Sequence, residues 1–431
     1  MRALHSGSVD RDAGTARYFA LAILVLIYML SAMDRQLVAI LADPIKTELG
    51  LTDTELGLLT GTSFALCYVV AGVPISWLAD RVSRRTIIMV SSMTWSMLTG
   101  LCGLANNLTQ MTVLRMAVGV GEAGGTAPSL SLLSDFFPPR ERARASAIYI
   151  VGTPLGIVMG SIIAGIVSTA YGWRMAFIVA AGVGVLLTPL LLLVKEPPRG
   201  RFDNVGRAER MSLRELSGVL SRPIFVLLFA SVALNALASL ALLTWTPAFL
   251  MRSTGMNTAD LAMWYSPIMG LALALGPWMA GWLVDRASAR DPGAYGRLPA
   301  FSCALAAPAL FGALACDQWA LSLLLISLAA FLAVMYFGPS MALLHNLAPP
   351  SARTMATAIL ILVLNVAGLG LGPPMIGMLS DILEPTYGTE ALKMSLYSIV
   401  AVLLASAASY AALARLVRRS AIGSAEQAAD V

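Results

Sequence analysis

Four ionisable residues sit in stretches of the chain that are otherwise apolar. Asp34 and Arg35 are adjacent in "YMLSAMDRQLVAI", and Arg115 and Glu122 are seven apart in "RMAVGVGEAGG". Such groups are costly at membrane depth, so they are retained where they exchange protons, bind charge or pair with one another. Seven residues are two helical turns, which puts Arg115 and Glu122 on one face. Burial and a neighbouring guanidinium act on a carboxyl in opposite senses. Glu122 is therefore expected to accept a proton, with Asp34 as a second carboxylate paired with Arg115 or Arg35. Protonation would free an arginine to rearrange or to hold an anionic group. A static neutral network of two acids and two arginines is the alternative, but two buried ion pairs are a costly way merely to pack helices. The second stretch also contains Gly-x-Gly-x-x-Gly at Gly119, Gly121 and Gly124, which cradles a pyrophosphate when it joins a strand to a helix.

The elements around these residues decide between the readings. Of the 431 residues 58% are hydrophobic and 12% charged, against roughly 25% charged in a soluble domain. Runs long enough to cross a bilayer, about 20 apolar residues each, fall at 17–41, 55–79, 86–106, 109–134, 143–170, 174–194, 223–250, 258–284, 298–316, 319–345, 354–380 and 394–414. The expected fold class is thus an all-α membrane protein with twelve transmembrane helices. The first run is too long for a signal-peptide core and lacks a small-residue cleavage site, so it is expected to remain as a helix. Arg115 and Glu122 then lie within the fourth span, and the glycines serve close helix packing instead of a nucleotide.

With an even number of spans both termini share one side. That side carries 23 of the 29 basic residues; the other carries Lys46, Arg174, Arg252 and Lys393, and Arg35 and Arg115 lie inside spans. This asymmetry predicts that both termini are cytoplasmic in a cell (inner) membrane. It also explains the net charge of +5 without nucleic acid as a partner. The longest cytoplasmic connection, 195–222, separates an N-terminal six-helix bundle (1–194) from a C-terminal one (223–431) with a short cytoplasmic tail. A shift of 205 residues overlays "LGLTDTELGLLTG" on "TGMNTADLAMWYS", and "SWLADRVSRR" on "GWLVDRASAR", so that Asp80-Arg81 meets Asp285-Arg286. Parallel repeats with a substrate site between them are a feature of secondary transporters.

"SWLADRVSRR" resembles the loop signature of the major facilitator superfamily, Gly-x-x-x-Asp-Arg-x-Gly-Arg-Arg/Lys, with Ser76 and Ser83 in place of its glycines and Gly281 keeping the first one in the second copy. The resemblance implies two pseudo-symmetric six-helix bundles working by alternating access. It also implies a cytoplasmic gate or latch of Asp80, Arg81, Arg84, Arg85, Asp285 and Arg286. There a carboxylate can cap a helix N-terminus and arginines can bridge the halves. Orientation-setting charge is the simpler reading of these residues. "YMLSAMDRQLVAILADPIKTELGLTDTELGLLTG", "RMAVGVGEAGGTAPSLSLLSDFF" and "RERARASAIYIVGTPLG" further resemble the Spinster branch, whose members move lysophospholipids and sphingosine-1-phosphate-type lipids. The Asp-Arg pair and the Glu-Ala also resemble the anion:cation symporters of sugar acids and carboxylates.

No acidic or basic residue occurs at 223–251, 318–352 or 354–380. A cavity wall from the C-terminal half is therefore expected to be mostly apolar, with Asn235, Ser239, Tyr336 and Asn365 as polar points. A charged wall facing an uncharged one suits an amphiphile. Gly152, Pro154 and Gly156, and Gly368, Gly370, Gly372, Pro373 and Pro374, suit close packing or bending. Cys67, Cys102, Cys303 and Cys316 have no metal-site spacing, and His5 and His345 are the only histidines. Neither a cofactor nor a metal is expected, and the chain is not expected to be an enzyme. The expected function is a proton-coupled secondary transporter of an amphiphilic lipid, with a proton-coupled symporter of small organic anions as the alternative. Expected partners are the substrate, protons and membrane lipids, with the protein a monomer.

Overall fold

The computed structural model describes residues 3–202, 218–349 and 352–429. Among them the regular structure is helical, with no strand. The long helices are α1 (Ala3–Ile40), α2 (Asp53–Ala79), α3 (Arg84–Cys102), α4 (Leu108–Glu122 continued by Thr126–Phe136), α5 (Pro139–Tyr171) and α6 (Trp173–Leu193). They continue as α7 (Pro223–Thr254), α8 (Thr258–Ser288), α9 (Ala294–Ala315), α10 (Trp319–Leu347), α11 (Arg353–Leu364, Asn365–Leu371 and Gly372–Tyr387) and α12 (Ala391–Ala429). Nine stretches of the described residues are long and apolar enough to cross a membrane, and one of these, Met355–Ser420, holds parts of both α11 and α12. The two helices outside that set have physical reasons to be. The interruption after Glu122 splits α4, and α3 buries Ser91, Ser92, Ser96 and Thr99 on its packed face. The chain is an all-α membrane protein, and the twelve helices correspond to the twelve runs.

The chain divides into two compact units, Met1–Leu49 with Ser63–Gly206 and Gly50–Thr62 with Arg207–Val431. The start of α2 therefore packs within the second unit, although it precedes helices of the first. Residues 203–217 of the expected linker 195–222 lie outside the described residues.

The repeat seen in the sequence has structural counterparts 205 residues apart. Gly50 and Gly255 both adopt positive φ, 66° and 75°, a conformation open to glycine at little steric cost. Two residues later each copy has a capping box. Thr52 Oγ1 accepts from the Glu55 N–H at 3.1 Å while Glu55 Oε2 accepts from the Thr52 N–H at 2.9 Å. Asn257 and Asp260 repeat the exchange at 2.8 and 3.3 Å. Each box satisfies N–H groups that a helix start leaves without intrahelical partners. A π-helical turn follows in both copies, at Leu58–Thr62 and Leu261–Tyr265. Near the far ends of the same helices, Arg81 lies 3.6 Å over Trp77 and Arg286 3.7 Å over Trp282.

Within the first unit α1 runs along α5, and α3 packs against α4 and α6. Gly152, Gly156 and Gly160 make the α1–α5 approach close: a Cβ added at Gly152 would lie 2.8 Å from the Val25 carbonyl, and one at Gly160 2.6 Å from that of Met33. This four-residue spacing of small residues is the pattern by which helix backbones meet in membranes. It gives Gly152 and Gly156 a packing role. In the second unit α7, α9, α10, α11 and α12 enclose a core that includes Phe225, Leu228, Val232, Leu344, Leu360, Tyr410 and Leu413. Large apolar side chains are left exposed, among them Val73, Ile166, Leu186, Trp278 and Phe301, as suits helices that span a membrane.

Candidate functional site

One side of α1 carries Ser31 and Arg35, one turn apart and therefore aligned. Both reach Glu122 on α4. Ser31 Oγ donates to Glu122 Oε2 at 2.6 Å, and Arg35 Nη1 donates to the same oxygen and also to Ser31 Oγ at 2.7 Å. The Glu122 side chain is fully shielded, whereas that of Arg35 is 29% exposed. The ion pair is thus a buried carboxylate with a guanidinium at its open side. Ser31 completes it, a residue the charge pattern did not single out although its spacing of four from Arg35 was visible.

Asp34 points elsewhere. One residue turns a helix by about 100°, which directs Asp34 away from Glu122 and toward α3, where Thr99 Oγ1 donates to Asp34 Oδ2 at 3.0 Å. Among the described residues Asp34 forms no ion pair, so the expected pairing with Arg115 or Arg35 is replaced by a neutral hydroxyl. Arg115, 1% exposed, lies within electrostatic range of Asp34, Glu122 and Cys102. Its Nε and Nη1 have no hydrogen-bond partner among the described residues. It rests instead over the ring of Phe64, 5.4 Å from the centroid, and Arg35 approaches the same ring at 5.8 Å. Phe64, on α2, is the apolar member of the site and had no charge to announce it. Two acids and two arginines balance the net charge, which reduces the cost of burying four charges.

The glycines of Gly-x-Gly-x-x-Gly set this geometry. A Cβ at Gly119 would lie 2.6 Å from the Phe64 carbonyl oxygen, one at Gly121 2.9 Å from Trp95 Cβ, and one at Gly124 would collide with Ser91 Oγ. The motif is a helical surface thinned to admit α2 and α3. It has no strand before it and holds no nucleotide loop.

A second charged cluster lies at the α2–α3 connection. Arg84, 4% exposed, pairs with Asp135 at 2.6 Å and with Glu196 at 3.0 Å, and its Nη1 also donates to the Ser131 carbonyl at 3.0 Å. Glu196 further accepts from Ser83 Oγ at 2.6 Å and from the Arg84 N–H at 3.2 Å. The start of α3 is therefore capped by Ser83 and Glu196, and the expected capping carboxylate, Asp80, is exposed. Arg199 covers the end of α2, donating to the carbonyls of Ala79, Asp80 and Val82. A cation at a helix C-terminus satisfies carbonyls that have no partner in the helix. Arg85 reaches the Val194 carbonyl at 3.2 Å. Arg81, Asp285 and Arg286 are exposed, and among the described residues none of the three forms an ion pair. Asp135 was visible as the acid of "SLLSDFF", and Glu196 as part of a charged connection; neither pattern alone announced an arginine partner.

The four polar points expected in the C-terminal half all belong to the second unit, and three of them are buried in it. Asn235, fully buried, donates to Cys303 Sγ at 2.7 Å. Ser239 Oγ donates to the Asn235 carbonyl at 2.7 Å and interacts with Tyr336, which is 5% exposed. Asn365 is half-buried and donates to its own helix at the Ile361 carbonyl, 3.0 Å away. It opens the π-helical turn Asn365–Leu371, which precedes Pro373 and Pro374.

Helices of this kind, with charged residues buried between them and a repeated half, define a polytopic carrier. Residues 24–373 match the Major Facilitator Superfamily, and the chain belongs to it. It is 30% identical over 402 residues to an "MFS-type efflux pump" of Mycolicibacterium smegmatis, covering 93% of this chain and 92% of that one. "Protein spinster homolog 1" of Xenopus laevis is 28% identical, with 83% and 72% covered. The "D-galactonate transporter" of Escherichia coli is 26% identical, with 63% and 68% covered. The crystal structure of a bacterial homolog to the human lysosomal transporter Spinster, in an inward-facing and unoccupied conformation, superposes with a TM-score of 0.86. Its identity is 27%, and 94% of this chain and 98% of that one are covered. The chain is a transporter of the Spinster branch, with the major facilitator fold, and not an enzyme.

Proposed function

We propose that this transporter is proton-coupled, works by alternating access and moves an amphiphilic lipid such as a lysophospholipid or a sphingolipid-like molecule. The observation that carries the reading is the Arg35–Glu122–Ser31 contact, in which the carboxylate is fully shielded and the guanidinium is partly exposed. Glu122 is the proton acceptor. Protonation removes the charge that holds Arg35, which then turns its donor fork to an anionic headgroup. Arg115, with donors not engaged by a carboxylate, stabilises the ionised pair and accompanies the exchange, and Asp34 is the second carboxylate of the network. Asn235, Ser239, Tyr336 and Asn365 are the polar points of a mostly apolar second wall suited to an acyl chain. Asp80, Arg81, Arg84, Arg85, Asp285 and Arg286 are the cytoplasmic latch. In this reading the protein is a monomer in the cell (inner) membrane, surrounded by its lipids, with both termini cytoplasmic and the bundles bounded at 1–194 and 223–431.

The similarity to a D-galactonate transporter supports a second reading, proton-coupled symport of small organic anions. Counterflow in proteoliposomes with a lysophospholipid and a sugar acid side by side distinguishes the two substrates. In the same assay Glu122→Gln is expected to lose pH-dependent transport while still binding substrate. Unchanged transport with unchanged pH dependence in that variant refutes the proton role.

A further inference from the structure

The N-terminus of α2 is held by a residue remote in sequence. The Asp381 carboxylate, on α11, accepts from the Asp53 N–H at 2.9 Å through one oxygen and from the Thr54 N–H at 2.7 Å through the other. With the Thr52–Glu55 box, this satisfies the first three N–H groups of a helix that runs from Asp53 to Ala79. Asp53, 3% exposed, returns the contact: its Oδ2 accepts from Ser380 Oγ at 2.7 Å and from Arg252 Nη1 at 2.8 Å. Below this the backbones touch. A Cβ at Gly57 would lie 2.6 Å from the Pro373 carbonyl, and Thr62 Oγ1 donates to the Gly370 carbonyl at 2.5 Å. The two π-helical turns, Leu58–Thr62 and Asn365–Leu371, therefore meet each other. Such turns are departures from regular helix that recur at functional sites.

The matching helix start in the second repeat, Asn257–Asp260, is capped by its own box, and no such distant carboxylate reaches it among the described residues. The tie is therefore an addition to the repeat and not a product of it. Gly50–Thr62 belongs to the second unit, whereas Ser63 and the rest of α2, including Phe64, belong to the first. Any transport movement that changes the relation of α2 to α11 has to break or carry this contact.

We infer that Asp381 is a positioning residue for transport: it ties the start of α2 to α11 through the α2 N–H groups, with Asp53, Ser380 and Arg252 as the reciprocal half of the tie. The inference rests on the family's transport function and not on the identity of the substrate. It is tested without substrate by cysteine labelling of the purified protein.

Leu59, fully buried in the first π-turn, is replaced by Cys in a C67S/C316S background. Cys102 and Cys303, both fully buried, stay as internal standards. Loss of an N-capping acceptor weakens a helix start, so Asp381→Asn, which keeps one acceptor oxygen, is expected to speed maleimide labelling at position 59 about threefold. Asp381→Ala is expected to speed it about tenfold, with labelling at 102 and 303 unchanged. Wild-type labelling at position 59 in Asp381→Asn and in folded Asp381→Ala overturns the inference. So does an equal rise at all three cysteines, which reports global loosening and no local tie. If the Ala variant does not fold, the Asn variant decides.

Discussion

Gly119 is the position at which a single methyl group reads out the geometry of the charged site. A Cβ there meets the Phe64 carbonyl oxygen at 2.6 Å, and ordinary contact begins at 3.4 Å, so α2 must retreat by about 0.8 Å from α4. The atom in the way is backbone and cannot rotate aside. Overpacking of this kind costs about 1–3 kcal/mol, against a gain of about 0.5–1 kcal/mol from replacing a helical glycine by alanine. Gly119→Ala is therefore expected to be destabilising overall. A retreat of 0.8 Å also takes the Phe64 ring from 5.4 Å to beyond the ~6 Å range in which a guanidinium and a ring attract, so transport should slow as well. Gly182 is the control. It is helical and exposed, and nothing lies within 4 Å of its added Cβ, so Gly182→Ala should collect the propensity gain without the clash. Thermal unfolding in detergent should rank Gly182→Ala at or above wild type and Gly119→Ala below it, with a gap between the variants of about 2 kcal/mol. A Gly119→Ala protein as stable as Gly182→Ala refutes the close-approach argument, and with it the role assigned to the glycine motif.

Arg84→Met leaves the buried Asp135 carboxylate without its guanidinium and should cost about 3–5 kcal/mol. Asp135→Asn, which leaves Arg84 paired with Glu196, should cost less, and Asp285→Asn, at an exposed position, should stay within about 0.5 kcal/mol; thermal melts of the three variants check the ranking. Glu196 adds a pH dependence. Burial pushes its carboxyl up, but hydrogen bonds from Ser83 and from the Arg84 side chain and backbone, with the Arg84 charge, outweigh this and hold it below the ordinary range. A lowered folded-state pKa contributes stability that is complete above the unfolded value, about 4.3 for Glu, and is lost as pH falls through the lowered value. The stability gap between wild type and Glu196→Gln should therefore be largest near neutrality and narrow below about pH 4; a gap that stays constant from pH 7 to pH 3 counts against the assignment.

Much of the architecture was legible in the residues because membrane helices announce themselves by length and hydropathy. The repeat was legible for a sharper reason: Gly50 and Gly255, Thr52 and Asn257, and Glu55 and Asp260 are residue types with fixed local jobs, so their alignment carried conformation as well as ancestry. The π-helical turns at Leu58–Thr62 and Asn365–Leu371 were not legible. Their glycines, threonines and leucines occur in regular membrane helices as well, and nothing in the residue pattern marks where a turn takes in an extra residue.

For the site, the four buried charges stood out because an apolar run makes any charge conspicuous. Their pairing did not, because it depends on helix rotation: one residue separates an arginine aimed at Glu122 from an aspartate aimed at Thr99. The neutral members, Ser31, Thr99 and Phe64, had no such contrast with their surroundings. The α2–α3 connection makes the converse point. Arg81, Arg84 and Arg85 all count equally toward orientation in the sequence, yet Arg81 lies exposed over Trp77 and Arg84 is buried between Asp135 and Glu196. A charge at a span end can set topology, or packing, or both. What separates the cases is whether acids from two other segments converge on it, and only the fold brings Asp135 and Glu196 to the same guanidinium.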